Sequence, residues 1–216
     1  NGSGNAMSQH FLATTGVTMK TEIIVITDRS GSMSSIADDV IGGFNTFLKE
    51  QKEAPGEALI TFTQFDDKYE VVYCGMQVKA AANLTRETFV PRGGTALYDA
   101  IGRTLNDQGA RIAREKWAEL VVVCIITDGG ENSSREYTSA RVKEMTAHAE
   151  KNGWKFVFLA ANQDAFAAAG NIGISSQYVG SYVANAAGTS RAYASTSATV
   201  TNLRAGNFTP GLVVSP

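Results

Sequence analysis

Residues 21–34 read TEIIVITDRSGSMS, and the fold turns on this stretch. Ile23, Ile24, Val25 and Ile26 form a β-branched run with no polar alternation. Such a run suits a strand buried on both faces, as in a parallel sheet covered by helices. It ends abruptly in Asp28, Ser30 and Ser32, with Gly31 between the two hydroxyls to permit a tight turn. Three small oxygen donors within five residues can face one point. Hard donors with few carboxylates suit Mg²⁺, which keeps several of its waters. Taken alone, the same letters also describe turn formers and a helix cap.

Two later stretches add weight. Arg92-Gly93-Gly94-Thr95 opens a second helical pattern. Residues 121–126, VVVCII, form another buried-strand run that ends in Thr127-Asp128-Gly129. Strands alternating with helices predict a doubly wound α/β sheet, and in such a sheet these loops gather at the carboxyl edge of the strands. The expected sheet is mostly parallel with helices on both faces. Residues 58–65 and 69–74, joined by Asp66-Asp67, read as a hairpin, which makes one edge strand antiparallel.

Working outward, a helix is expected over 34–50, with Ile36, Val40, Ile41, Phe44, Phe47 and Leu48 on one face. Gly42-Gly43 inside it costs about 1 kcal/mol per glycine relative to alanine, which close packing against the sheet would explain. Further helices are expected from Thr95 or Ala96 through Leu105 and over 139–151, 165–170 and 189–203. Strands are expected over 22–27, 119–127, 154–160 and 176–183. Asp164 is placed as a helix cap, and Asn152-Gly153 as a left-handed helix end. Residues 1–6 read as a cloning scar before Met7, with Met19 an alternative start. Residues 7–20 read as an N-terminal arm, 21–205 as one domain and 206–216 as a tail.

Composition narrows the function classes. The chain has 216 residues and a formal net charge of −2, with Lys and Arg scattered rather than striped. That argues against nucleic-acid binding. No apolar run reaches the length of a membrane span, and no basic-then-apolar leader is visible, so a cytoplasmic location is expected. Cys74 and Cys124 both lie in apolar strand runs and read as free, buried thiols of a reducing compartment. With only His10 and His148, a histidine-rich zinc site and histidine acid–base chemistry are disfavoured.

Asp28-x-Ser30-x-Ser32, Thr95 and Asp128, in that order, resemble the metal-ion-dependent adhesion site of a von Willebrand factor A (vWA) domain. The likeness spans about residues 20–205 and is strongest to bacterial and phage cytosolic members, whose second acidic loop reads like Asp128-Gly129-Gly130-Glu131-Asn132. The resemblance implies that Ser30, Ser32 and Thr95 supply hydroxyl oxygens. It implies that Asp28 and Asp128 supply carboxylates, directly or through water. The ion implied is Mg²⁺, with Mn²⁺ equivalent and Ca²⁺ less suited. A partner protein would add an Asp or Glu side chain, and some family members work with an ATPase encoded elsewhere. Arg29, Tyr98, Glu131 and Asn132 flank the set as candidate partner contacts, although Glu131 and Asn132 also suit capping and shaping roles. Asp38 and Asp39 fall too far downstream for an auxiliary calcium site and read as a solvated helix face. Asp66 and Asp67 read as turn residues.

The rival chemistry is a metal-dependent phosphoesterase or phosphotransfer enzyme on a similar α/β fold. Haloacid dehalogenases need a second aspartate two residues after the first, where this chain has Ser30. Receiver domains need a lysine after a late strand, where this chain reads Phe158-Leu159-Ala160-Ala161-Asn162. There is no Walker loop and no nucleophile elbow. With no activated base near Ser30, the reading is a binding module and not an enzyme.

Overall fold

A computed structural model of the chain describes residues 18–161 and 164–211. The expected scar, most of the arm and residues 212–216 of the tail lie outside the described residues. In chain order the elements are β1 (Thr21–Asp28), α1 (Ala37–Glu53), β2 (Ala58–Phe65), β3 (Tyr69–Gln77), α2 (Leu97–Glu115), β4 (Leu120–Thr127), α3 (Ser139–Lys151), β5 (Lys155–Ala161), α4 (Ala165–Asn171), β6 (Val179–Tyr182) and α5 (Ala186–Arg204). The six strands are ordered β3-β2-β1-β4-β5-β6. All neighbours pair in parallel except β2 with β3, so the antiparallel edge strand stands where the hairpin reading put it.

The unbroken apolar runs have a direct cause. Ile23 and Val25 of β1, with Val122, Cys124 and Ile126 of β4, pack on one face under α1 and α5. Ile24 and Ile26, with Val121, Val123 and Ile125, pack on the other under α2, α3 and α4. Both faces are covered, so alternation is lost. Each fully buried Val or Ile contributes about 1.5–3 kcal/mol relative to exposure. The Asp28–Phe65 and Thr27–Ile126 pairs close the registers of β1 with its two neighbours, which brings the ends of three strands level.

Local chemistry sets the helix ends. The Asp164 carboxylate accepts from the Phe166 and Ala167 amides, Thr138 accepts from Arg141, and Asn185 accepts from Gly188. Gly153 follows α3 with φ +86°. Five expectations are corrected. Residues 31–36 form a tight 3₁₀ turn, so α1 begins at Ala37 and runs to Glu53. β3 extends to Gln77, and β6 is only Val179–Tyr182, with residues 176–178 in a 3₁₀ turn of their own. Cys74 is exposed on the edge strand, while Cys124 is buried as expected. Gly43 faces α5 and not the sheet: a Cβ there would lie 2.5 Å from Tyr193 Cδ2, while one on Gly42 would meet nothing within 4 Å.

α5 is fixed to α1 at its far end by a buried polar knot. The Arg204 guanidinium donates to the backbone oxygen and Oε1 of Gln51 and to the carbonyls of Pro55 and Gly56. Gln51 Nε2 in turn reaches Ser197 and Thr201. A cation held on the last carbonyls of α1 also suits the negative end of that helix. At the same edge the Met19 amide donates to the Arg204 carbonyl over 3.1 Å. Among the described residues no helix is long and apolar enough to cross a membrane.

Candidate metal centre

Asp28 is the last residue of β1 and is fully buried. Its Oδ1 accepts from the Ser30 amide at 2.7 Å, and its Oδ2 accepts from the Thr127 hydroxyl at 2.6 Å. The 3₁₀ turn after it winds Ser30 and Ser32 onto one side, with their hydroxyl oxygens 3.0 Å apart. The Ser32 hydroxyl donates to Asp128 Oδ1 at 2.7 Å, which joins the loop after β1 to the loop after β4. Thr95 completes the group: a Cβ built on Gly129 would lie 3.6 Å from Thr95 Oγ1 and 3.8 Å from Ser32 Oγ. The two carboxylates and three hydroxyls, drawn from loops far apart in the sequence, meet at the carboxyl edge of β1 and β4.

Electrostatics make the site unusual for a set of caps. Burial pushes the Asp28 carboxyl up to about 6, against the hydrogen bonds from Thr127 and Ser30 that favour its charge, and nearby Asp128 raises it further. Asp128 is raised as well, mainly by burial, with Ser32 opposing. Among the described residues neither carboxylate forms an ion pair. Two desolvated carboxylates beside three neutral hydroxyls form a donor set that fits one hard divalent ion and would roughly neutralise it. Among the described residues no three His, Cys, Asp or Glu side chains are placed to hold a metal ion, so an ion here would be held by hydroxyls as much as by carboxylates.

The surrounding loops hold Thr95 tightly. Its amide donates to Asn132 Oδ1 at 2.9 Å, and its carbonyl accepts from the Asn132 and Ser133 amides. The Glu131 carboxylate accepts from the Tyr98, Ser133 and Ser134 amides and from the Ser134 hydroxyl, capping the start of α2. Asn132 is exposed and Tyr98 is half-buried against the α2–α4 core. Arg29 turns away from the hydroxyls: it is buried, with its guanidinium on Asp66 and Glu70. Asp66 sits at its turn, as expected, but is fully buried and binds basic groups. Thr127 was not singled out from the sequence, although a hydroxyl one residue before Asp128 at a strand end was the available signal.

Solved structures share this architecture. The vWF domain of the type V pili tip protein Mfa5 from Porphyromonas gingivalis superposes with a TM-score of 0.63 at 11% identity, covering 91% of this chain and 99% of that one. The chain has the fold of a von Willebrand factor A domain. A von Willebrand factor type A structure from Catenulispora acidiphila gives a TM-score of 0.60 at 16% identity, over 86% of this chain and 43% of that one. Proximal thread matrix protein 1 from the mussel byssus, with a zinc-occupied MIDAS motif, gives 0.57 at 15% identity, over 85% and 46%. This chain thus spans about half the length of the first solved chains it matches. No protein-family model and no curated protein sequence matches it. The vWA likeness is therefore one of fold.

Proposed function

We propose that the chain is a vWA-family module that binds a protein partner through a divalent ion. Asp28, Ser30, Ser32, Thr95 and Asp128 would hold the ion. The observation that carries the reading is the pair of buried carboxylates, without a basic partner among the described residues, closed over by three hydroxyls. Such a pair repels itself until a cation arrives. The ion would supply a Lewis-acidic position that accepts one further anionic oxygen. Mg²⁺ or Mn²⁺ suits the hard oxygen set, and the zinc-occupied MIDAS of the mussel protein supports divalent binding on this fold.

The partner would present an Asp or Glu side chain, with exposed Asn132 and half-buried Tyr98 as flanking candidates. Membership of the bacterial and phage cytosolic branch rests on the acidic loop Asp128–Asn132. The cytosolic location rests on that likeness and on the two free cysteines. Nothing at the site favours phosphoester hydrolysis: the residue two after Asp28 is Ser30, and its hydroxyl lies against Ser32. Calorimetric titration of metal-stripped protein with Mg²⁺ and Mn²⁺, beside Asp28→Ala, tests the site. One-site binding lost in the variant is expected. Equal binding by both proteins overturns the assignment.

A further inference from the structure

We infer that Asp66, which touches none of the five donors, is a positioning residue for the metal centre: it holds the loop of Asp28 and Ser30 and the loop of Thr95 in register. This rests on the metal-site reading above. Asp66 lies in the β2–β3 turn and is fully buried. Its Oδ2 accepts from Arg29 Nε at 2.9 Å and pairs with Arg92 Nε at 3.1 Å. Its Oδ1 accepts from the Lys68 amide at 2.7 Å. Arg29 stands between Asp28 and Ser30, and Arg92 stands three residues before Thr95. One carboxylate therefore binds the two guanidiniums that flank the two halves of the donor set.

Backbone contacts run along the same line. The Ala96 amide, next to Thr95, donates to the Asp66 carbonyl; the Arg92 amide donates to the Arg29 carbonyl; the Gly31 amide donates to the Gly93 carbonyl. The geometry leaves no room for a neutral amide. In Asp66→Asn, one flip sets the side-chain NH₂ against the two arginines and the other sets it against the Lys68 N–H. Either way donor faces donor, and the charge that draws Arg29 and Arg92 together is gone. The two loops are then held to each other by their backbone bonds alone, and the Thr95 hydroxyl is fixed less firmly against Ser30 and Ser32.

The test uses Mn²⁺ as probe, with affinity read from the paramagnetic resonance of the free ion and hydration of the bound ion from water-proton relaxation. Asp66→Asn is expected to raise the Mn²⁺ dissociation constant roughly tenfold, as removal of an outer-shell support commonly does. The bound ion should gain exchangeable water, as it should in Thr95→Ala. On a Thr95→Ala background, Asp66→Asn should cost less than on wild type, because both act through the same ligand. Arg92→Gln, at a half-exposed side chain, should shift affinity and hydration in the same direction by less, and it decides the matter if Asp66→Asn does not fold. Wild-type affinity and hydration in the folded variants, whatever their melting temperatures, would overturn the inference while leaving the metal site standing. Absence of Mn²⁺ binding in wild type would overturn the metal site itself.

Discussion

Replacing Asp28 with asparagine should uncouple the stability of the metal-free protein from pH. In the fold the Asp28 carboxyl stands at about 6 against an ordinary 3.8. A rise of about two units corresponds to ~3 kcal/mol of penalty on the charged form. The folded state holds this proton more tightly than the unfolded chain. The associated stability is therefore complete below pH 3.8 and is lost as pH climbs through 6. The amide of Asp28→Asn can keep the bond from the Ser30 backbone N–H. It can turn its NH₂ to Thr127, whose hydroxyl has the Gly129 carbonyl 3.1 Å away as an alternative acceptor. Urea unfolding with chelator, from pH 4 to 7.5, should show wild type losing up to ~3 kcal/mol relative to Asp28→Asn. Taking the difference between the two proteins cancels the titration of every other group to first order. Mg²⁺ at 100 times its dissociation constant should then restore about 2.7 kcal/mol to wild type and nothing to the variant. A flat difference across this pH range would refute the claim that Asp28 is an uncompensated buried charge. Equal stabilisation of both proteins by Mg²⁺ would refute its role as a ligand.

Gly43→Ala should destabilise by about 1–3 kcal/mol, because its methyl must push Tyr193 and α5 aside, whereas Gly42→Ala should stabilise by up to about 1 kcal/mol; paired thermal melts distinguish them. Arg204→Met should cost about 3 kcal/mol or more in chemical denaturation, since it strands the Gln51, Pro55 and Gly56 carbonyls without their buried donor. A thiol reagent should label Cys74 in the folded protein at once and reach Cys124 only after denaturant is added.

The parts of the fold that could be read from sequence were those with local causes. The continuous runs at Ile23–Ile26 and Val121–Ile126 report burial on both faces directly, and Asp164 and Asn152-Gly153 report helix ends through their own backbone preferences. The convergence of Asp28, Ser30, Ser32, Thr95 and Asp128 was legible because a doubly wound topology brings these loops to one edge. Other features depend on atoms far away in the chain. The Asp66-Asp67 pair announces a turn, but Arg29, 37 residues upstream, is what buries Asp66. The Gly43 contact needs Tyr193, 150 residues on, to be intelligible. The delayed start of α1 follows from the hydroxyl-rich run after Asp28, where the Met33 amide turns back to the Ser30 carbonyl and favours a tighter coil. Cys74 sits on an edge strand, and only the sheet order reveals that, beside Gln108, it stays open to solvent.

The bond from Met19 to Arg204 has a mechanical consequence. The segments that enter and leave the domain come together at the sheet edge opposite the candidate site. A pull applied through both ends would load the bonds of Phe208 and Gly211 to Tyr178 and Gln177 and then that junction with the knot around Arg204, while the five-donor edge lies off the line of tension. Hinged at one pole in this way, the domain can be carried within a longer polypeptide as a side-mounted unit. Its opposite pole would then face outward while the tether takes the strain.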